Sequence, residues 1–248
     1  MAQTRLVILS GPSCVGKSPL KKALAKFHPE LCAALHPLVL YNSRAPRPGE
    51  VDCVDYHFRT REQVESLRTD ERFAVLEVRG DMQAVDLVEF AELINQGDLF
   101  FEGNPFVGRT LLTHPRLEQV MKLSVFMAPI SRDEIIYLRA PERNVSLPAL
   151  ITDVMRRKLL RRSRRQKSEL SLADLENIEK RAASAYGELQ EAHHFDFVIP
   201  NHDGEDSENW DAFYYPLGDA RKVLLAFVSL LEGRMTDGFE HWESDLLH

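Results

Sequence analysis

Gly11-Pro12-Ser13-Cys14-Val15-Gly16-Lys17-Ser18 is the stretch on which the fold turns. It satisfies G-x-x-x-x-G-K-[ST] at every fixed position. Glycine lets the backbone curl until successive N–H groups face one anion, and a helix starting there adds the positive end of its dipole. Lys17 has the reach for the β- and γ-phosphates of ATP, and the Ser18 hydroxyl can ligate Mg2+. The phosphate-binding set is therefore Gly11, Ser13, Cys14, Val15, Gly16, Lys17 and Ser18.

The flanks supply the required context. The apolar run R-L-V-I-L-S at residues 5–10 suits a buried parallel strand, and residues 20–27 read as a helix. Pro19 falls in the first helical turn, where a missing N–H is tolerated. Further strands are expected at 99–102, 122–127 and 195–199. Helical spacing covers 85–96, closed by Gly97, and also 131–139, 150–165, 172–193 and 217–232. Strands alternating with helices imply an α/β fold, a P-loop NTPase-type parallel sheet flanked by helices. Such a sheet needs a carboxylate at the C-terminal end of a neighbouring strand to manage the metal. Glu102 ends L-F-F-E and fits; Asp98 begins the run, at the wrong edge.

The chain of 248 residues is long enough for one or two domains, carries net charge −7 and has no apolar stretch of membrane-spanning length. The start runs directly into a strand with no leader pattern, which implies a cytoplasmic address. Three cysteines without a C-x-x-C pair argue against disulfides and a zinc site. The acidic whole argues against nucleic acid as a partner, although residues 156–167 are strongly basic and 202–211 acidic.

The stretch Y-N-S-R-A-P-R-P-G-E at 41–50, followed by D-Y-H-F at 55–58, places two arginines three apart in a proline-stiffened loop. Two guanidinium forks held this way suit a phosphate dianion. Combined with G-P-S-x-x-G-K-S, this stretch closely resembles the guanylate kinase family, in which the loop holds the phosphate of the acceptor nucleotide. The resemblance implies acceptor-phosphate roles for Arg44, Arg47 and Tyr56. More weakly, it extends over residues 5–201, with an insertion near 140–151.

It implies a domain over residues 1–201, with an acceptor-binding subdomain at about 37–84 and a helical lid at about 140–180. Residues 202–248 would be an extension whose helix packs on the core, with a loosely held tail from 235. The departures concern the base. Leu40 stands where the family has a serine, and Asn104 where it has its second base-reading acid. The family's other glutamate matches Glu77, or Ala74 in a gap-free register. The G-N-x-Y-G-T run is poorly kept at 80–84.

The basic residues 156–167 need a counter-anion or open water. In the lid reading, Arg165 from this helix (with Arg161 and Arg162 as its competitors) and Arg181 act with Lys17 on the transferring phosphoryl group. Paired His193 and His194 lack a third ligand and read as structural or solvated. The leading function is an ATP-dependent nucleoside monophosphate kinase acting on GMP or dGMP, a monomer or homodimer with a small-molecule acceptor. The rivals are a kinase of the same fold with another phosphorylated acceptor, and a binding module, against which the intact Gly16-Lys17-Ser18 speaks.

Overall fold

The computed structural model describes residues 4–47, 49–235 and 237–247. Strand β1 (Arg5–Ser10) leads through the 11–16 loop into α1 (Lys17–Phe27), followed by α2 (Pro29–Ala33) and β2 (Leu35–Pro37). Short strands β3 (Tyr41–Asn42) and β4 (His57–Phe58) precede α3 (Arg61–Ser66), β5 (Phe73–Val78), β6 (Asp81–Asp86) and α4 (Leu87–Leu93). Next come β7 (Asp98–Gly103), α5 (Pro105–Thr113), β8 (Met121–Ala128) and α6 (Arg132–Arg139). The chain closes with α7 (Leu147–Gln166), α8 (Leu172–Ala183), α9 (Ala185–Gln190), β9 (Phe197–Pro200) and α10 (Gly218–Leu231).

The main sheet is parallel throughout, in the order β2-β7-β1-β8-β9. Alternation in β1 sends Leu6 and Ile8 to one face and Val7 and Leu9 to the other. The first pair packs with Leu111, Met155, Leu159 and Leu189 from α5, α7 and α9. The second packs with Leu20, Leu24, Val223 and Phe227 from α1 and α10. Both faces are covered, as the continuous apolar runs require. Truncating one of these side chains to alanine costs about 2–5 kcal/mol, so α10 is part of the core that holds the phosphate loop.

A second sheet, β4-β3-β6-β5, is mixed: β3 and β4 are parallel, and the other pairs antiparallel. Residues 85–86, expected to open a helix, instead finish β6, and α4 starts after Asp86. Asp86 caps it, accepting from the N–H groups of Val88 and Glu89. The expected single helix over 172–193 breaks at Ser184, whose hydroxyl lies between the Arg181 carbonyl at 3.1 Å and the Glu188 carboxylate at 2.8 Å. The break separates α8, which carries Arg181, from α9, which carries Glu188. The tail is also better anchored than its composition suggested. Trp242, Leu246 and Leu247 are buried in the core, and Glu240 bridges to Val198. Among the described residues no helix is long and apolar enough to cross a membrane.

Candidate active site

Parallel register decides what meets the phosphate loop. Leu9 pairs with Glu102 and Ser10 with Gly103, so the carboxylate ending β7 arrives beside the turn that follows β1. There the Ser18 hydroxyl donates to Glu102 Oε1 at 3.2 Å. Asp98 lies at the opposite edge, paired with Arg5 at 2.9 Å. A hydroxyl beside a carboxylate at a helix N-terminus is a donor set that fits magnesium held jointly with phosphate oxygens and water. Among the described residues no group of three or more metal-ligating side chains exists.

The loop itself curls through positive φ at Gly11 (150°), Cys14 (69°) and Gly16 (110°). A Cβ on Gly11 would lie 2.4 Å from the Met127 carbonyl, and one on Gly16 2.6 Å from Asn201 Nδ2. Only glycine fits at either place. Helix α1 begins with no side-chain cap and no acid in its first turn, which leaves its N–H groups for an anion. Lys17 is buried, and its ammonium donates to the carbonyls of Gly11 and Pro12 at 2.7 and 2.9 Å. Burial pulls its pKa down, against the pull of Glu205 and Glu102. Cys14, also buried, is pushed up to about 12 by desolvation, with Glu205 adding to the shift.

Gly11, Ser13, Cys14, Lys17 and Ser18 line a cleft shared with Arg44, Arg47, Tyr56, Arg79, Arg162 and Arg181. Asn42, Asp81, Gln83, Glu102, Asn104 and Glu205 complete its polar wall. Val15 and Gly16 shape the loop from behind it. Six cations face three carboxylates among the described lining residues, so an acidic protein holds a focused positive cleft.

Compensation among these cations is uneven. Arg44 is held in a two-pronged pair with Glu50 at 2.6 and 2.7 Å and lies 5.0 Å from the Tyr56 ring centre. Arg47 reaches Glu50 only at 4.0 Å, and burial followed by the neighbouring Arg44 lowers its pKa. Burial also lifts the Tyr56 phenol above its ordinary value. Arg181 has no ion pair among the described residues. Its Nε donates to Ser13 Oγ at 3.0 Å. Burial and then Arg162, Arg47 and Arg79 lower it to about 9, which leaves it a cation at neutral pH.

Three of the expected residues are placed or engaged differently from the sequence reading. Glu77 alternates onto the outer face of β5, half exposed, and meets Arg61 at 3.4 Å, away from the cleft. Asn104 lines the cleft, but its amide is engaged: Oδ1 accepts from Phe106 N–H at 2.9 Å and Nδ2 donates to Glu188 at 3.0 Å. Arg165 faces Glu208 at 3.1 Å and lines a neighbouring groove instead. Arg162, one helical step away, takes the cleft position.

The counter-anion for the basic helix is the acidic loop itself. Glu205 meets Arg162 at 2.6 Å, and Asp206 meets Arg161 at 2.7 Å and Lys158 at 3.8 Å. Nothing in local sequence paired these segments. The fold does so because Asn201, just past β9, donates to the Val15 carbonyl at 2.7 Å and ties the loop to the phosphate cradle. Burial opposes ionisation of Glu205, but Arg162 and Lys17 outweigh it and hold the carboxyl below its ordinary pKa.

Residues 3–94 match the family model described as Guanylate kinase. A guanylate kinase of Synechococcus sp. (strain JA-3-3Ab) is 31% identical over 215 residues, spanning 86% of this chain and 82% of the relative. One from Nitratidesulfovibrio vulgaris is 32% identical over 202 residues, with 81% and 80% covered. The crystal structure of guanylate kinase from Anaplasma phagocytophilum superposes with a TM-score of 0.54 at 16% identity, covering 96% of this chain and 91% of that one. That last likeness concerns the fold.

Proposed function

The chain belongs to the guanylate kinase family, and from that premise we propose that it transfers the γ-phosphoryl group of ATP to the phosphate of a nucleoside monophosphate, foremost GMP. It is a phosphotransferase. The acceptor oxygen already carries negative charge, so the reaction asks little of a general base. It asks for alignment and for positive charge around three crowded anions.

The residues divide that work. The amides of the 11–17 loop and the Lys17 ammonium hold the donor's phosphates. Arg44, Arg47 and the Tyr56 hydroxyl hold the acceptor phosphate, with Glu50 fixing Arg44 in its orientation. Arg162 and Arg181, reaching in from α7 and α8, stabilise the charge on the phosphoryl group in flight. Ser18 and Glu102 would hold magnesium, which when bound neutralises the β- and γ-oxygens of the donor.

The observation that carries this reading is Arg181. A half-buried guanidinium bonded to the phosphate loop, crowded by Arg162 and Arg47 and without an ion pair among the described residues, is costly unless an anion enters. A coupled assay of ADP release with magnesium-ATP and GMP tests the proposal. ADP and GDP should form in equal amounts. ATP binding without GDP formation would overturn it.

A further inference from the structure

One arginine of the cleft belongs neither to the Arg44–Arg47 loop nor to the helices of the lid. Arg79 and Gly80 form the two-residue turn between β5 and β6, with Val78 opposite Asp81. Both turn residues have positive φ, 55° and 82°, the geometry of a type I′ turn. An arginine Cβ is strained in this left-handed region, where asparagine or glycine is at ease. The turn gives no reason for an arginine, so the reason lies in where its side chain goes.

That side chain is clamped along one edge. Arg79 Nε lies 2.6 Å from Glu188 Oε1 and 3.0 Å from Ser184 Oγ, and Nη2 pairs with the same carboxylate. Nε and Nη2 share one side of the planar guanidinium, so the Nη1 side faces away from Glu188. Among the described residues Nη1 meets no hydrogen-bond acceptor. Glu188 is fully buried, whereas Arg79 lines the cleft together with Gly11, Ser13, Lys17 and Arg181. The clamp is tied to the elements around the phosphate loop. Asn104, two residues past Glu102, donates to Glu188 Oε1 at 3.0 Å. Ser184 Oγ lies 3.1 Å from the Arg181 carbonyl, and Arg181 Nε donates to Ser13 Oγ at 3.0 Å. A chain of contacts thus runs from the phosphate loop through Arg181 and Ser184 to Arg79. Burial does most to lower the pKa of Lys17 and of Arg181, and the Arg79 charge adds to both shifts.

We infer that Arg79 is a further catalytic residue of this kinase: its free guanidinium edge meets the phosphoryl group in transfer, with Glu188 and Ser184 as positioning residues behind it. The inference rests on the monophosphate-kinase reading above. During transfer the bond from the γ-phosphorus to the donor's bridging oxygen breaks, and one to an acceptor-phosphate oxygen forms. The equatorial oxygens then carry charge that fixed N–H donors stabilise. Arg79 gives up no proton in this step and forms no bond to phosphorus. It comes from the second sheet, whose strand β3 leads into the Arg44–Arg47 loop, whereas Arg162 and Arg181 come from α7 and α8. The group in flight is therefore met by cations from both sides of the cleft. Because Glu188 offsets much of its charge, Arg79 attracts a ground-state phosphate less than Arg47 does, and its contribution appears in kcat.

The test is steady-state kinetics of the intact protein with magnesium-ATP and GMP, for Arg79→Gly, Arg79→Lys and the double variant Arg79→Gly/Glu188→Gln. Glycine suits the turn, and the double variant strands no carboxylate should the single one fold poorly. In the folded variants kcat should fall about a hundredfold for glycine. For lysine, which keeps a charge without the planar edge, it should fall about tenfold. The KM of either substrate should move less than about threefold. Added guanidinium ion should restore part of the lost kcat in the glycine variants and leave the wild type unchanged, which a merely structural arginine would not allow. Folded variants that keep the wild-type kcat, or that lose only stability or substrate affinity, would overturn this inference alone. A wild-type chain that forms no GDP would overturn the kinase reading and the inference with it.

Discussion

Two parts of the cleft wall are built on opposite principles. At the phosphate end the cations are left short of carboxylates: among the described residues Arg181 has no ion pair, and the Arg47 side chain meets Glu50 only at 4.0 Å. Elsewhere on the same wall Arg79 is paired with a buried carboxylate, and Asn104 is engaged at both ends of its amide. Phosphate carries enough charge to repay exposed guanidinium groups, whatever nucleotide bears it. A paired guanidinium yields part of its charge and gains a fixed direction, which aiming an N–H group requires.

The largest effect should come from Lys17→Ala, which removes the ammonium at the donor's phosphates. Turnover should drop about 10²–10³-fold with the melting temperature held. An active Lys17→Ala enzyme would detach the phosphate end from catalysis. Arg47→Ala is expected to be milder, raising the KM for GMP about tenfold with kcat nearly kept, since this less compensated arginine binds a charge present in ground and transition states alike. A collapse of kcat instead would move Arg47 into the group that acts in flight.

Glu205→Gln probes the comparison from the other side. The Glu205 carboxylate sits among Arg162, Lys17 and Arg181, where donor phosphate must compete with it. The variant should bind ATP about two- to fivefold more tightly by calorimetry, the worth of one partly screened pair. Weaker binding would show that Glu205 orients Arg162 for the nucleotide.

The smallest effect concerns the anchor of the same loop. Burial lowers the His202 pKa, but its bonds to Asp219 at 2.6 Å and Glu134 at 2.9 Å outweigh this and raise it above 6.5. Its stabilisation is complete below the unfolded value and is lost as pH rises through the folded one. Half exposed as it is, it contributes under about 1 kcal/mol. Between pH 6 and 9 the wild-type melting temperature should fall slightly more than that of His202→Gln. Parallel curves would remove the imidazolium from the account.

What could be read in the sequence follows the same division. The phosphate loop, the Arg44–Arg47 loop and the strand ending in Glu102 announce themselves, because each works through backbone geometry or spacing within one short segment. The parallel sheet followed from alternating apolar runs for the same reason. Arg79, Glu188 and Glu205 carry no local signature. Arg79 breaks the preference of its turn, Glu188 lies in a helical pattern that gave no hint of the break at Ser184, and Glu205 acts across the fold. Glu77 matched a family motif, yet a one-residue step along β5 puts its side chain on the other face. The basic helix was legible as a charge problem, but its partner became visible only in three dimensions.

The most direct measurement takes Arg181→Ala through full steady-state kinetics with GMP and with IMP. If unpaired charge at the phosphate end drives transfer, kcat should fall about a hundredfold for both acceptors. The GMP-to-IMP ratio should stay at its wild-type value. An unchanged kcat, or a loss confined to one of the two bases, would contradict the account.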